Sequence, residues 1–585
     1  MTAHRHAPGA WSPILAVLMV ATLLLASCAP AAAPATPAAS VPPPTALSPT
    51  PAPAIPGVTP TPALRPALPT PTATPTGEKP KPGGVLRFIL PGEPSSSDPH
   101  TSATPSAAVP FIYETFLREN PVTGVVEPQL VTRWETISET ETILHVRQGV
   151  RFQNRAPVNG RPMTAQDVVY SLQRIASKDP GFLRRSQFAS VTKVEALDAS
   201  RVKVTFKEPN APFLTNLSDR FNGIVAKEAV DKFGNLDRVE DAIGTGPFMF
   251  EKATFGIGGS MKRNPDYWQP GKPYLDGAAW SLITDGGTLV AAYRTGRLDA
   301  GAQFWGGISV EDKESIQRVN AAMQFYPVPD VRPNVLLMNM ARKPFDDIRV
   351  RKAIHLAVDR QEIIQIVMGG SAQVSGPLGP RLTPYYSIPE EEIVKMPGFR
   401  PKNTPEGQRD IADAKRLLAE AGYPNGLTIE AEGSRYIYWN NLQSMELAKN
   451  QLRKIGVTVN ISLQDQTTYF AREEAKDFNF RPRGFNAGVE VDAQLAVRHS
   501  CGGSRNFGGF CDQEVEKLIA EQRRTLELEK RKAVVLKIQQ ILIDKVPHIF
   551  LFEPNRYGVQ QPWVRAMVPS GSVPFGYTEN IWFAK

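Results

Sequence analysis

Leu427-Thr428-Ile429-Glu430-Ala431-Glu432, an intervening stretch carrying Met445, Ala448, Leu452 and Ile455, then Gly456 and Val457-Thr458-Val459-Asn460-Ile461-Ser462-Leu463 decide the fold class. The first and last runs read as strands. The apolar positions between them recur at helical spacing, and Gly456 stops that helix. Strand, helix, strand in this order is the signature of an α/β layer, in which a helix covers one face of a sheet.

The same mixture extends in both directions. Val85-Leu86-Arg87-Phe88-Ile89-Leu90 is a nearly continuous apolar run of strand length, fitting a buried strand. Thr142 to Arg147 and Arg201 to Lys207 alternate as half-buried strands do. Thr164 with Asp167 reads as a capping box ahead of a helix whose inner face holds Val168, Leu172 and Ile175. Asp347 caps a helix with Val350, Ile354 and Ala357, and Asp359 with Glu362 predicts a second capping box closed by Gly369. Thr404-Pro405 starts and Gly422 ends a helix that turns Ile411, Ala414, Leu418 and Ala421 inward.

Ahead of this body, His4, Arg5 and His6 precede an apolar run from Ile14 to Ala26, and then Leu25-Ala26-Ser27-Cys28. The run is too short for a comfortable membrane span and matches a signal-peptide core. Small residues before a cysteine resemble the bacterial lipobox, in which cleavage leaves Cys28 as the lipid-bearing first residue; an uncleaved anchor is the other reading. Residues 29–82 are Pro-, Ala- and Thr-rich and too poor in large apolar side chains to form a core, so they are expected to be an extended tether. The net charge of +8 is spread among comparable numbers of acids and bases with no dense basic tract, which does not point to nucleic acid. With Cys28 assigned to lipid, Cys501 and Cys511 remain, at the ends of a Gly-rich bight. They are read as a disulfide pair, with two free thiols as the alternative; for a metal site only His499 is nearby.

Catalytic motifs are missing. There is no Gly-x-Ser-x-Gly elbow, no His-Glu-x-x-His and no phosphate-binding loop, and Gly244-Thr245-Gly246-Pro247 lacks the third glycine of a dinucleotide fingerprint. His145, His355 and His548 sit in apolar-patterned segments and are read as structural. The chain is therefore read as a non-enzyme with no cofactor and no metal.

Several segments, in order, resemble the peptide/nickel class of solute-binding proteins of ABC importers (extracellular solute-binding protein family 5). They are Glu127-Pro128-Gln129-Leu130 with Arg133-Trp134-Glu135, His145 to Phe152, Pro162 to Ser171, Gly244 to Phe248, and Arg263-Asn264-Pro265-Asp266-Tyr267-Trp268. Ala291 to Asp299, Lys343 to Ile354, Ala357-Val358-Asp359-Arg360, Ala419 to Pro424 and Leu452 to Val457 continue the series. Peptide-binding members carry an acidic residue that receives the peptide amine. Gly488 stands at that place here, with Glu490 and Asp492 as the carboxylates that could substitute.

The resemblance implies a two-lobed, periplasmic-binding-protein type II-like α/β fold with an inserted subdomain. The segments are a signal peptide at 1–27, the tether at 28–82, lobe I at 83–125, 230–325 and 546–585, the insertion at 126–229 and lobe II at 326–545. It implies a small-molecule or peptide ligand held between the lobes, permease subunits as partners, a monomer, and a lipid-anchored location in the cell envelope outside the cytoplasm. A sensory or structural lipoprotein using the same fold without transport is the alternative. Tyr436, Tyr438 and Trp439 follow a strand and are candidates to stack on ligand; Gln303, Phe304 and Trp305 are the facing candidates. Arg483, Phe485, Asn486 and Tyr113 complete the expected binding set, with Arg483 placed to pair a ligand carboxylate.

Overall fold

Leu427–Ser434 and Val457–Gln464 run parallel as neighbours, with Leu427 beside Val457 and Ser434 beside Gln464, and the helix Asn441–Leu452 lies between them in the chain. Met445, Ala448 and Leu452 are fully buried, so the helix covers the sheet with the face the spacing predicts. The structure, a computed structural model, describes residues 78–90, 92–93, 96–102, 106, 108–120, 125–179, 181–301, 307–330, 332–380, 383–434, 441–485, 490–568 and 575–584. Among the described residues no helix is long and apolar enough to cross a membrane.

Buried apolar side chains fall into two large clusters and one small one. The first gathers residues from Leu86 to Ala300 together with Val564 to Phe583. It is built on two four-stranded sheets. Val85–Leu90 pairs in parallel with Gly277–Leu282, which continues through Gly258–Arg263 to Phe248–Thr254; the other sheet runs Val131–Ser138, Glu141–Val146, Arg201–Phe206, Val191–Ala196. The helix Ala165–Ile175 packs on this second sheet. Its Thr164–Asp167 capping box forms, and Arg161 grips Asp167 through two hydrogen bonds of 2.9 and 2.7 Å.

The second cluster runs from Val335 to Phe552. Asn334–Met338 and Phe480–Gly484 are antiparallel, Phe480–Gly484 is parallel to Leu427–Ser434, and the helices Ile348–Ala357, Arg360–Met368 and Pro405–Glu420 supply buried side chains around them. One capping detail differs from the expectation. Asp359 caps the helix Arg360–Met368, but Glu362 does not return to its backbone. Gln451, from the neighbouring helix, accepts from Asp359 N–H at 2.9 Å and donates to Glu362 at 2.8 Å, so a tertiary partner replaces the local one.

Two chain crossings join the clusters. Gln324–Pro329 belongs with the first part of the molecule and Asn334–Met338 with the second. The strand His548–Gln560 serves both: His548–Phe552 pairs with Asn334–Leu337, and Asn555–Gln560 with Gln324–Pro329. The small third cluster, which includes Tyr293, Met323 and Val559, sits on the far half of this strand.

Cys501 and Cys511 form a disulfide across a sequence separation of 10. Closing a loop of that size restricts the unfolded chain by about 3 kcal/mol on the loop-entropy account. The double variant Cys501→Ser/Cys511→Ser should lose about that much in urea unfolding, and equal midpoints for variant and parent would exclude the effect.

Candidate ligand cleft

A cavity of about 100 Å3 opens within the first cluster, lined among others by Tyr113, Glu114, Arg118, Arg220, Phe221 and Tyr577. Glu114 organises its floor. Thr245 Oγ1 donates to one carboxylate oxygen at 2.7 Å, Tyr267 OH to the other at 3.0 Å, and Trp268 Nε1 reaches both. Gln129 Nε2 adds a long bond at 3.4 Å. Burial raises the Glu114 carboxyl to about 7 despite these donors. Gly244 and Gly246 let this knot form, because a Cβ there would lie 2.1 and 2.6 Å from the Ile112 carbonyl oxygen. Gly244-Thr245-Gly246-Pro247, Asn264 to Trp268 and the Gln129 segment are far apart in sequence, and one buried carboxylate brings them together.

The cavity's sides are cationic and aromatic. Arg118 meets Glu579 at 3.2 Å and lies 4.3 Å over Tyr577, whose hydroxyl donates to Glu127 at 2.8 Å. Arg184 and Arg220 both face the Phe221 ring, at 3.7 and 4.9 Å. Tyr113, one of the sequence candidates, is a wall of this cavity and is 4% exposed.

On the second lobe, Phe480–Gly484 and Leu427–Ser434 run parallel, so the chain leaves both strands at the same end of the sheet. Arg483 and Phe485 stand at that end. Gln303, Phe304, Trp305, Tyr436, Tyr438, Trp439, Asn486 and Gly488, together with Cys28, lie outside the described residues. Arg483 is described: its guanidinium meets Glu473 at 3.0 Å and faces Phe470. Phe485 is 2% exposed and packs in the second core beside His548. Glu490 and Asp492 are committed internally. Glu490 caps the helix Val491–His499 and pairs with Arg531; Asp492 pairs with Arg523 at 3.0 Å and accepts from Gln522 at 2.6 Å. Neither carboxylate is held ready for an incoming amine.

Where the chain crosses between the clusters, a buried ion knot holds it. Asp330 accepts from Arg332 at 2.7 and 2.8 Å and from Arg556 at 3.0 Å, and its N–H donates to the Pro554 carbonyl at 2.9 Å. The two crossings are thus tied to each other. Away from the knot, the inserted segment touches the second lobe: Ala211 N–H donates to the Arg523 carbonyl at 2.9 Å, and Arg524 lies 3.6 Å from Glu208. Sequence reading missed Glu114, Asp330 and Arg556. The text offered one signal for the first, since three family-like motifs in fixed order ask for a common partner.

Residues 125–506 match the family described as bacterial extracellular solute-binding proteins, family 5 middle. The glutathione-binding protein GsiB of Salmonella typhimurium is 28% identical over 331 residues, 57% of this chain and 59% of that protein, so the chain spans about three fifths of the GsiB relatives it matches. The di/tripeptide-binding protein 1 of Pseudomonas aeruginosa is 26% identical over 504 residues, covering 80% of this chain and 90% of that protein. Among solved structures, the periplasmic binding protein DppA of Helicobacter pylori, in complex with the peptide STSA, superposes with a TM-score of 0.70 at 24% identity, covering 86% of this chain and 99% of that one. NikZ of Campylobacter jejuni, in complex with Ni(L-His), gives 0.70 at 19% identity, covering 83% and 96%. These likenesses show the fold. With the family model matching residues 125–506, more than half of the chain, this chain belongs to the bacterial extracellular solute-binding proteins of family 5.

Proposed function

We propose that the chain is an extracytoplasmic receptor that captures a small solute, an oligopeptide or a molecule of similar size, between its lobes and delivers it to the permease of an ABC importer. The observation that carries this reading is the pair of crossings at 329–334 and 554–555, joined by the Asp330 knot, between two separately packed cores. Two cores on one hinge open and close about a space between them, and a solute with greater affinity for the closed form shifts that equilibrium. Both relatives named above are called binding proteins, one for glutathione and one for di- and tripeptides. Cys28 would carry the lipid and residues 29–82 would be the tether that keeps the body near its permease.

Native mass spectrometry of the mature protein, purified without denaturation, tests the reading. A retained solute of peptide-like mass, lost on unfolding and rebound on addition, is the expected result. Failure to bind any component of a peptide digest or growth-medium extract would remove the receptor assignment. Metabolic labelling with a fatty-acid analogue should mark the parent and leave Cys28→Ala unmarked.

A further inference from the structure

Away from both chain crossings, the two cores touch through a pair of non-covalent contacts set side by side. Ala211 N–H, on the inserted segment, donates to the Arg523 carbonyl at 2.9 Å, and the Arg524 guanidinium lies 3.6 Å from Glu208. Phe206 and Phe213, which flank the donor, belong to the first core. Leu518 and Ile519, just ahead of the acceptor, belong to the second.

The acceptor is a helix end. The helix Gln513–Arg524 leaves its last carbonyls without partners of its own, and an amide of the other lobe answers the one at Arg523. Arg523 is held in place, because its guanidinium meets Asp492 at 3.0 Å and Gln522 donates to the same carboxylate at 2.6 Å. The donor is held as firmly. Asn210 donates to Ser190 Oγ at 2.6 Å, and Phe213, 2% exposed, packs edge-on against Phe206 at 4.7 Å. From Phe213 the short helix to Leu217 leads directly to Ser218, Arg220 and Phe221 in the cavity wall. Two surfaces already fixed in shape lose little freedom when they meet, so one hydrogen bond and one ion pair keep most of their value. Water can take each partner's place when the lobes part, since Arg524 is 51% and Glu208 33% exposed. The contact is therefore reversible.

We propose that this contact is a latch: as the lobes close, residues 208–211 of the inserted segment dock on the end of the helix Gln513–Arg524, and the strength of that docking sets the share of closed protein. Apparent affinity scales with the share of the competent form, so the latch tunes how tightly a solute is held without touching it. This role rests on the receptor reading. Lobe separation and amide exchange are measurable with or without a solute, so the two fail separately.

Glu208→Lys in the mature chain tests the latch. It sets a second positive charge beside Lys207, facing Arg523 and Arg524, and turns attraction into repulsion. Hydrogen exchange at the Ala211 amide should quicken about two- to fivefold, and small-angle scattering should give a larger radius of gyration. The amides of Leu144 and Leu336, fully buried in the first and second cores, should exchange as in the parent. Adding Arg524→Glu swaps the two charges and should bring both readings back toward the parent. Faster exchange at Ala211 with an unchanged radius of gyration would make the contact local fraying and overturn the latch. So would exchange equal to the parent's, or a double variant no closer to the parent than the single one. Quickened exchange at Leu144 and Leu336 would make Glu208 a structural residue and overturn it as well. Each of these outcomes leaves the receptor reading to the solute measurement.

Discussion

Taking the protein from pH 7 to pH 4.5 is expected to remove several kcal/mol of folding stability, with His100 and His548 each contributing about 2 to 3. Both are at most 1% exposed. Burial lowers His100 to about 4, helped by Arg174 and Arg184 and opposed by Asp98 and the Gly223 carbonyl. Burial lowers His548 to about 3, with Arg498 adding to the effect. His355, beside Arg360, and His499, packed on His548 at 5.4 Å, are displaced in the same direction. In the unfolded chain these rings take a proton near 6.5. Below that pH the unfolded state binds more protons than the folded one, so stability falls as pH falls, until the folded values are reached. Glu114 works oppositely. Its folded value, raised to about 7, means the native state takes up its proton first, and this adds stability between pH 7 and the ordinary carboxylate range. One glutamate offsets only part of four histidines. Urea unfolding at pH 7.5, 6.5, 5.5 and 4.5 should show the loss, and His548→Phe, which keeps an aromatic ring against Phe485 and Phe550, should flatten the slope. Constant stability across that range would contradict the account.

Replacing Asp330 with alanine should cost about 3 to 5 kcal/mol and loosen the two lobes. Asp330 is 3% exposed and Arg332 6% exposed, so the pair lies where water cannot take over for a missing partner. Burial alone would push the Asp330 carboxyl up. Arg332 and Arg556 outweigh it and hold the carboxyl below its usual range, which makes the ionised form the working one at neutral pH. Removing the carboxylate takes their shared anion from the buried Arg332 and the half-buried Arg556 beside the crossing strands. The amide of Asp330→Asn retains hydrogen bonding and should lose less. Small-angle scattering of Asp330→Ala should give a larger radius of gyration than the parent, and urea unfolding a lower midpoint. Stability within about 0.5 kcal/mol of the parent would show that the knot does not hold the hinge.

Much of the fold was legible because its signals are local. The capping box at Thr164–Asp167, the N-caps Asp347 and Thr404, and the alternation of Arg201–Phe206 each follow from residues a few positions apart. The exception at Asp359 has the same cause in reverse. Glu362 has the residue type for a local bond, but Gln451, 89 positions away, supplies the contact instead. The candidate site was less legible. Arg483 and Phe485 were picked out for standing just ahead of the Gly488 stretch, yet their environment depends on Glu473 and His548, which no local pattern announces. Glu490 and Asp492 look available in the text and are engaged by Arg531 and Arg523 in the structure.

By itself, the sequence determined the α/β class, the helix and strand faces, the expectation of an N-terminal address at Cys28, and the family-like order of segments from 127 to 457. These depend on residue type and short-range spacing, which the chain carries in one dimension. Only the tertiary structure decided that Gly244-Thr245-Gly246, Tyr267 and Trp268 converge on Glu114, and that Asp330 ties both lobe crossings together. A buried charge acquires its partners from whatever the fold places within a few ångströms. Electrostatic energy follows that distance and the surrounding dielectric, and neither is written in the linear order of the residues.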